Sequence, residues 1–161
     1  MECGLCCDGT LFGSVRIDAG ERERLTRVHL RVVDKGGELS IAQRCTALVG
    51  CLCSLYADRP RACAQYECSL RKSVLAGTKT EAEGRADIAR MRALLKVIGD
   101  AFDVPASLDV SVWDTLLTLE EPVEFPDDDE ATRRHDAGVD ALTDLLALGR
   151  SAFEPSFSGG S

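Results

Sequence analysis

Cysteine is the residue type in this sequence that is best suited to do chemistry. Eight cysteines occur in the 161 residues, and all of them lie before residue 69. They form three groups: Cys3, Cys6 and Cys7, then Cys45, Cys51 and Cys53, and finally Cys63 and Cys68. Clustered thiolates are typical ligands of zinc ions and of iron–sulfur clusters. All eight cysteines are therefore predicted to be metal ligands.

Spacing within the first group indicates how its thiolates are shared. Cys3 and Cys6 form a Cys-x-x-Cys unit, in which two thiolates of one tight turn bind a single metal. Gly4 gives that turn its backbone freedom. Cys7 follows directly, so its side chain is expected to point away from that of Cys6. Cys7 would then serve a second metal or another iron of a cluster.

The later cysteines leave two arrangements open. Cys51 and Cys53 are one residue apart and would face the same side of an extended segment. Cys63 and Cys68 have a spacing found in some zinc and cluster loops. Because zinc usually takes four ligands, eight cysteines suffice for two all-thiolate zinc sites. One iron–sulfur cluster held by four thiolates fits equally well, so the bound metal is predicted to be zinc or iron.

The cellular location is predicted from the apolar and N-terminal patterns of the sequence, and it bears on the role of the cysteines. No apolar run is long enough to span a bilayer, and the N-terminus has no signal-peptide pattern. A cytoplasmic location is therefore predicted, with no membrane partner. In that reducing setting clustered cysteines are better explained as metal ligands than as disulfides.

Charge is distributed unevenly along the chain, whose formal net charge is −8. Residues 1–80 contain 12 basic and 9 acidic side chains, against 7 and 18 in residues 81–161. The acidic total argues against a nucleic-acid partner, whose phosphates need basic side chains. We interpret the arginines near the N-terminus as a solvated helix face, because Glu21 and Glu23 interrupt them. They are Arg16, Arg22, Arg24, Arg27 and Arg31. The acidic half is a candidate surface for a protein partner.

The elements that must position the cysteines are short. A strand is predicted within residues 10–17, followed by a helix over residues 18–28 with Asp18 as its N-cap. Residues 30–33 and 39–41 flank a Gly-Gly turn and predict a hairpin. Residues 44–68, which carry most of the remaining cysteines, leave little room for regular structure.

Beyond residue 69 the pattern is helical. Thr78 and Glu81 form a capping-box pattern that opens a long helix, whose apolar stripe runs to Phe102 and which ends at Pro105. A shorter helix is predicted over residues 112–119. A final helix follows the acidic run 127–130. Its predicted inner side consists of Val139, Leu142, Leu145, Leu146 and Leu148.

These elements predict a mainly helical α+β fold. A small cysteine-rich metal-binding module over residues 1–75 would pack against about three helices in residues 76–155. Residues 156–161, rich in serine and glycine, are predicted to be a disordered tail.

The segment that follows Cys53 contains groups able to tune a metal site. Pro60 stiffens the loop because its ring fixes φ. Arg59 is able to donate hydrogen bonds to thiolates, or else to form a surface ion pair. Tyr56 and Tyr66 either cover the site or serve packing alone.

Three stretches of the sequence resemble a known family. They are residues 3–9, residues 45–48 and residues 53–63. They are similar to the YkgJ-like cysteine-cluster family, also called the CxxCxxCC zinc- or iron-chelating domain. Its pattern combines a CGxCC element, a Cys-x-x-Leu and a Cys-x-Ile-Tyr-x-x-Arg-Pro-x-x-Cys block, often with one more Cys. The resemblance implies metal chelation by the matching cysteines, with Cys68 as the frequent addition.

The chain departs from that pattern at two positions. The full family motif has a further cysteine three residues before the one matched by Cys3, which would fall before Met1. We expect either that the true start lies upstream or that this ligand is missing. Cys51 lies outside the basic pattern and is expected to replace it.

Three functions fit these residues. The first is chelation of zinc or iron by clustered thiolates. The second is an iron–sulfur-dependent protein-modifying enzyme or its accessory protein, which the resemblance implies because a flagellin lysine methylase shares the cysteine domain. The third is a thiol redox or metal-trafficking protein. His29 and His135 are the only histidines, and no hydrolase or nucleotide-binding motif occurs, so a binding protein is favoured over an enzyme.

Overall fold

A computed structural model describes residues 3–103 and 129–153 of the chain. Of these residues 53% are helical, in five α-helices and additional single turns, and the strands form two small sheets. The predicted mainly helical α+β class is confirmed at this level. The predicted helix over 112–119, the stop at Pro105 and the tail 156–161 lie outside the described residues.

The described residues cluster into two compact units. The first comprises residues 3–66 and the second comprises residues 67–103 with 129–153. Within these ranges, none of the helices combines the length and apolar character that crossing a bilayer requires.

A three-stranded antiparallel sheet forms the scaffold of the first unit. Its strands are β1 (Ser14–Arg16), β2 (Val32–Lys35) and β3 (Glu38–Ala42), in the order β1-β3-β2. The predicted hairpin is confirmed, with Lys35 opposite Glu38. Its turn residues Gly36 and Gly37 both have positive φ, as a type I′ hairpin turn requires.

The short helix that follows β1 packs one apolar side chain, Leu25, into the core of this unit. A 3-10 turn (Ala19–Glu21) leads into α1 (Arg22–Arg27), so the helix is shorter than predicted. Asp18 makes no side-chain capping hydrogen bond, because the helix proper begins later. Leu25 is fully buried. The core consists of Ile17, Leu25, Leu30, Leu39, Ile41 and Ala47.

A Schellman motif ends α1. His29 has a φ of 61° and its N–H donates to the Thr26 carbonyl at 3.0 Å, while the Leu30 N–H donates to the Leu25 carbonyl at 3.0 Å. His29 is exposed and occupies the left-handed position that ends the helix.

Residues 44–68 contain more regular structure than predicted. Strands β4 (Leu48–Val49) and β5 (Leu52–Cys53) pair as an antiparallel hairpin, and α2 spans Arg61–Gln65. Gly50 has a φ of 60° and occupies the first central position of the two-residue turn, the place that favours glycine in a type II′ turn. Strands of two residues are too short to show an alternating pattern in sequence.

The second unit is helical. It contains α3 (Ser69–Leu75), α4 (Glu81–Ala101), α5 (Asp129–Leu148) and a π-helical turn (Gly149–Phe153), and α4 packs along α5. The capping box that opens α4 consists of Thr80 and Glu83 rather than Thr78 and Glu81. The predicted long helix is confirmed, but its N-cap lies two residues beyond the predicted one.

The inward faces of the two long helices follow the predicted stripes in part. On α4, Ile88, Met91 and Ile98 are buried as predicted. On α5 the buried residues are Gly138, Ala141, Leu145 and Leu148. Val139 and Leu146 are 42% and 39% exposed, so their predicted inner position is wrong. The register differs because the small residues Gly138 and Ala141 face α4, where the helices approach closely.

Candidate metal centre

The structure describes all eight cysteines. Each is half-buried, and none of them is joined to another in a disulfide. Seven lie in the first unit and Cys68 lies in the second. Which of the seven come together is decided by the loops that carry them.

Cys7 and Cys45 are tied together by their backbones. The N–H groups of Cys7 and Asp8 both donate to the Gly4 carbonyl, at 2.8 and 3.0 Å, which folds the N-terminal segment into a tight turn. The Cys45 N–H then donates to the Cys7 carbonyl at 2.8 Å. Residues 38 positions apart in sequence are thereby held side by side.

The β4–β5 hairpin brings Cys53 to the same region. Leu48 pairs with Cys53 across the hairpin, and the Leu48 N–H donates to the Cys45 carbonyl at 3.0 Å. The Ser54 N–H closes the hairpin base by donating to the Ala47 carbonyl at 2.8 Å. Cys45 and Cys53 both pack against the hydrophobic core of this unit.

Cys63 lies on α2. The structure shows the contacts of three nearby residues that were predicted either to tune a metal site or to serve surface and packing roles. The Arg59 guanidinium stacks on the Tyr56 ring, 4.1 Å from its centroid, so Arg59 makes a cation–π contact. Tyr56 is 63% exposed. Tyr66 packs edge-on against Phe12, with ring centroids 5.0 Å apart.

Electrostatics show that four thiols share one environment. Burial, followed by the charges of Cys45, Cys53, Cys63 and Asp8, raises the pKa of Cys7 to about 12. Burial, followed by Cys45 and Cys53, raises the pKa of Cys63 to about 11, while Arg59 lowers it and Glu21 raises it.

The pKa of Cys45 is also raised, first by burial and then by Cys53, against a lowering by its hydrogen bond with the Ala47 backbone. Cys7, Cys45, Cys53 and Cys63 are therefore close enough for ionisation of one thiol to oppose ionisation of another. We call these four residues the thiol cluster.

The Cys-x-x-Cys turn lies against a different part of the hairpin. A Cβ at Gly4, whose φ is 74°, would stand 3.3 Å from the Cα of Cys51. Cys51 occupies the hairpin turn, so the extended backbone on which the predicted shared face with Cys53 depended does not include it. Gly4 thus places the turn that carries Cys3 and Cys6 beside Cys51.

Cys68 belongs to the second unit. It is the N-cap of α3, and its Sγ accepts a hydrogen bond from the Arg71 N–H at 3.4 Å. This local role satisfies one of the helix's unpaired N–H groups. That Cys68 ligates a metal stays a prediction.

The donor chemistry of the thiol cluster fits zinc or iron. Four sulfur donors, partly removed from water, are the set that both metals accept in tetrahedral thiolate sites. Among the described residues, no three His, Cys, Asp or Glu side chains already stand as a group that could hold a metal ion.

Thiols gathered by short hairpins and loops are typical of cysteine-ligated metal-binding domains. The family model described as "CxxCxxCC: Putative zinc- or iron-chelating domain" matches residues 1–88. The match covers more than half of the chain, and the chain belongs to this family. No curated protein and no solved structure matches the chain.

Proposed function

We propose that this protein chelates a zinc or iron ion through the thiolates of the thiol cluster. The observation that carries the proposal is the convergence of three cysteine groups from distant parts of the sequence on one half-buried place. The first group supplies Cys7, the second supplies Cys45 and Cys53, and the third supplies Cys63. With iron, the same four thiolates are the set that holds an iron–sulfur cluster.

Raised thiol pKa values favour chelation over thiol exchange. Redox-active cysteines have lowered pKa values, since the thiolate is the nucleophile. The pKa values of Cys7, Cys45 and Cys63 are raised by burial, which keeps these thiols protonated and unreactive at neutral pH. A metal cation supplies the compensating charge that allows them to ionise.

Each part of the cluster has a defined task in this proposal. Cys7 and Cys45 ligate from two backbone segments joined by a hydrogen bond, and Cys53 ligates from the β4–β5 hairpin. Cys63 ligates from α2, where the positive charge of Arg59 favours its thiolate. A bound ion would cross-link these segments of a unit that has a small hydrophobic core.

The other predicted ligands form a second part of the proposal. Cys3 and Cys6 flank the turn at Gly4 that lies beside Cys51, and these three cysteines are proposed as ligands of a second ion. Cys68, which lies in the second unit, is assigned to neither ion. The proposal places the protein in the reducing cytoplasm, where thiols stay available as ligands. A protein partner is proposed for the acidic helical half.

Metal analysis of single Cys→Ser variants tests the proposal. The wild-type protein, purified without oxygen, is expected to contain zinc or iron, and visible absorption distinguishes an iron–sulfur cluster from zinc. Cys7→Ser and Cys63→Ser are expected to lose the same ion, whereas Cys68→Ser, a matched change in the second unit, retains it. Wild-type protein that holds neither metal, and takes up neither when it is offered, would refute chelation.

A further inference from the structure

The helix that carries Cys63 has no side-chain cap from its own sequence. Its N-cap is Pro60, which makes no side-chain capping hydrogen bond. The first N–H groups of a helix lack partners within the helix and need an acceptor from elsewhere. Here the Arg61 N–H donates to Glu21 Oε1 at 3.0 Å, across 40 residues of sequence. Glu21 thus acts as a remote cap for α2.

A second contact holds Glu21 in place and extends the connection. Arg24 donates through Nη2 to the same Oε1 of Glu21 at 2.9 Å, and through Nη1 to the carbonyl of Asp58. The chain is therefore fastened to α1 and its preceding turn at Asp58 and at Arg61. These two points bracket the residues that lead into α2.

The environment of Glu21 differs from that of a neighbouring ion pair on α1. The Glu21 side chain is 16% exposed, whereas Glu23, which pairs with Arg27, is 87% exposed. Among the described residues, Oε2 of Glu21 is buried without a hydrogen-bond partner. A buried oxygen without a partner opposes folding, and the two hydrogen bonds that Oε1 accepts act against this cost.

Oε1 of Glu21 joins two helices, because this one oxygen atom accepts from both α2 and α1. The negative charge of Glu21 also pairs with Arg24. These contacts fix the position of α2, the helix that carries Cys63.

We propose that Glu21 and Arg24 are positioning residues that hold Cys63 within the thiol cluster for metal binding. This inference rests on the proposed chelating function. The inference gives Arg24 a specific role, whereas the sequence alone indicated only that Arg24 is part of a solvated helix face. Other positioning groups in metal sites typically change metal affinity by 10–100-fold when removed.

Two substitutions of Glu21 separate the effect of its position from the effect of its charge on zinc affinity. Glu21→Ala removes the acceptor and is expected to weaken zinc binding by roughly 10–100-fold. Glu21→Gln keeps an acceptor oxygen for both donors, so its zinc affinity is expected to stay close to the wild-type value. Glu23→Ala, the matched exposed control, is expected to stay within about twofold of wild type.

Zinc affinity is measured by titrating the metal-free full chain with Zn²⁺ against a competing chelator, without oxygen. Cobalt(II) provides a second readout, because its thiolate charge-transfer absorption reports how many sulfurs bind. Glu21→Ala is expected to show the absorption of Cys63→Ser, and to add no further loss when the two changes are combined.

Several results would overturn the positioning role. Wild-type affinity in Glu21→Ala would do so, as would an equal loss in Glu21→Gln, which would assign the effect to the carboxylate charge. If Glu21→Ala does not fold, Arg24→Met removes the second half of the connection, and unchanged zinc affinity there would contradict the inference. Wild-type protein that binds no metal refutes the proposed function itself, whereas wild-type binding with an unaffected Glu21→Ala refutes only the positioning role.

Discussion

Zinc binding to the thiol cluster is expected to release several protons at neutral pH, and still to release protons when it is measured at alkaline pH. Ligating thiols must lose their protons before they bind a metal. The pKa values of Cys7, Cys45 and Cys63 all lie above the ordinary value of 9.0, so at least three protons leave at pH 7. At pH 10 Cys7 and Cys63 still hold theirs, with pKa values of about 12 and 11, so at least two protons leave there.

Calorimetry in buffers of different ionisation enthalpy counts these protons. The observed heat of zinc binding varies linearly with buffer ionisation enthalpy, and the slope is the number of protons released. Cys63→Ser is expected to release fewer protons than wild type, whereas Cys68→Ser releases the same number. Thiols of ordinary pKa would be mostly ionised at pH 10, so a count near zero there would refute the reasoning.

The same pKa shifts set how the stability of the metal-free protein depends on pH. The unfolded chain loses its thiol protons near pH 9.0, whereas Cys63 and Cys7 of the folded protein keep theirs until about pH 11 and 12. In that window the unfolded state binds fewer protons, so the free energy of unfolding falls as pH rises. The contribution is fully present below pH 9.0. Stability that rises between pH 9 and 11 in urea titrations would contradict this sign.

Three further substitutions test the fold by chemical denaturation. His29→Gly is expected to stabilise the protein by about 0.5–1 kcal/mol, because glycine adopts the left-handed conformation of a Schellman cap more readily; a loss of stability would contradict this. Gly138→Ala is expected to destabilise it by roughly 1–2 kcal/mol despite the better helix propensity of alanine, since a Cβ there would stand 2.5 Å from that of Ala101. Gly149→Ala, which meets nothing within 4 Å, is its control. Thr80→Ala removes the capping box of α4 and is expected to cost about 1 kcal/mol, so an unchanged unfolding free energy would exclude a role for that cap.

Secondary-structure elements that depend on short-range interactions were predicted from local sequence patterns. The β2–β3 hairpin follows from two glycines that adopt positive φ, and α4 follows from an apolar stripe of helical period. The β4–β5 hairpin and α2 could not be predicted in this way. Each strand has two residues, and the cap of α2 comes from Glu21, 40 residues away.

Residue type predicted the chemistry of the candidate site, but spacing did not predict its grouping. Cys51 and Cys53 are two positions apart, which favours a shared face only in extended chain. The turn at Gly50 places Cys51 beside Gly4, whereas Cys53 joins the thiol cluster. Cys7 interacts with Cys45, Cys53 and Cys63, whereas its separation from Cys6 stays a prediction.

Burial of the thiol cluster affects both the proposed chelation and the reactivity of the metal-free thiols. If the proposed ligand set is correct, four thiolates would carry more negative charge than a divalent ion neutralises, and a nearby cation would stabilise the filled site. Arg59 lowers the pKa of Cys63, and its stacking on Tyr56 holds that charge in position. Without a metal, the burial that raises the thiol pKa values keeps Cys7 and Cys63 protonated and therefore poor nucleophiles. In the proposed function, a metal cation would supply the charge that draws these protons off at neutral pH.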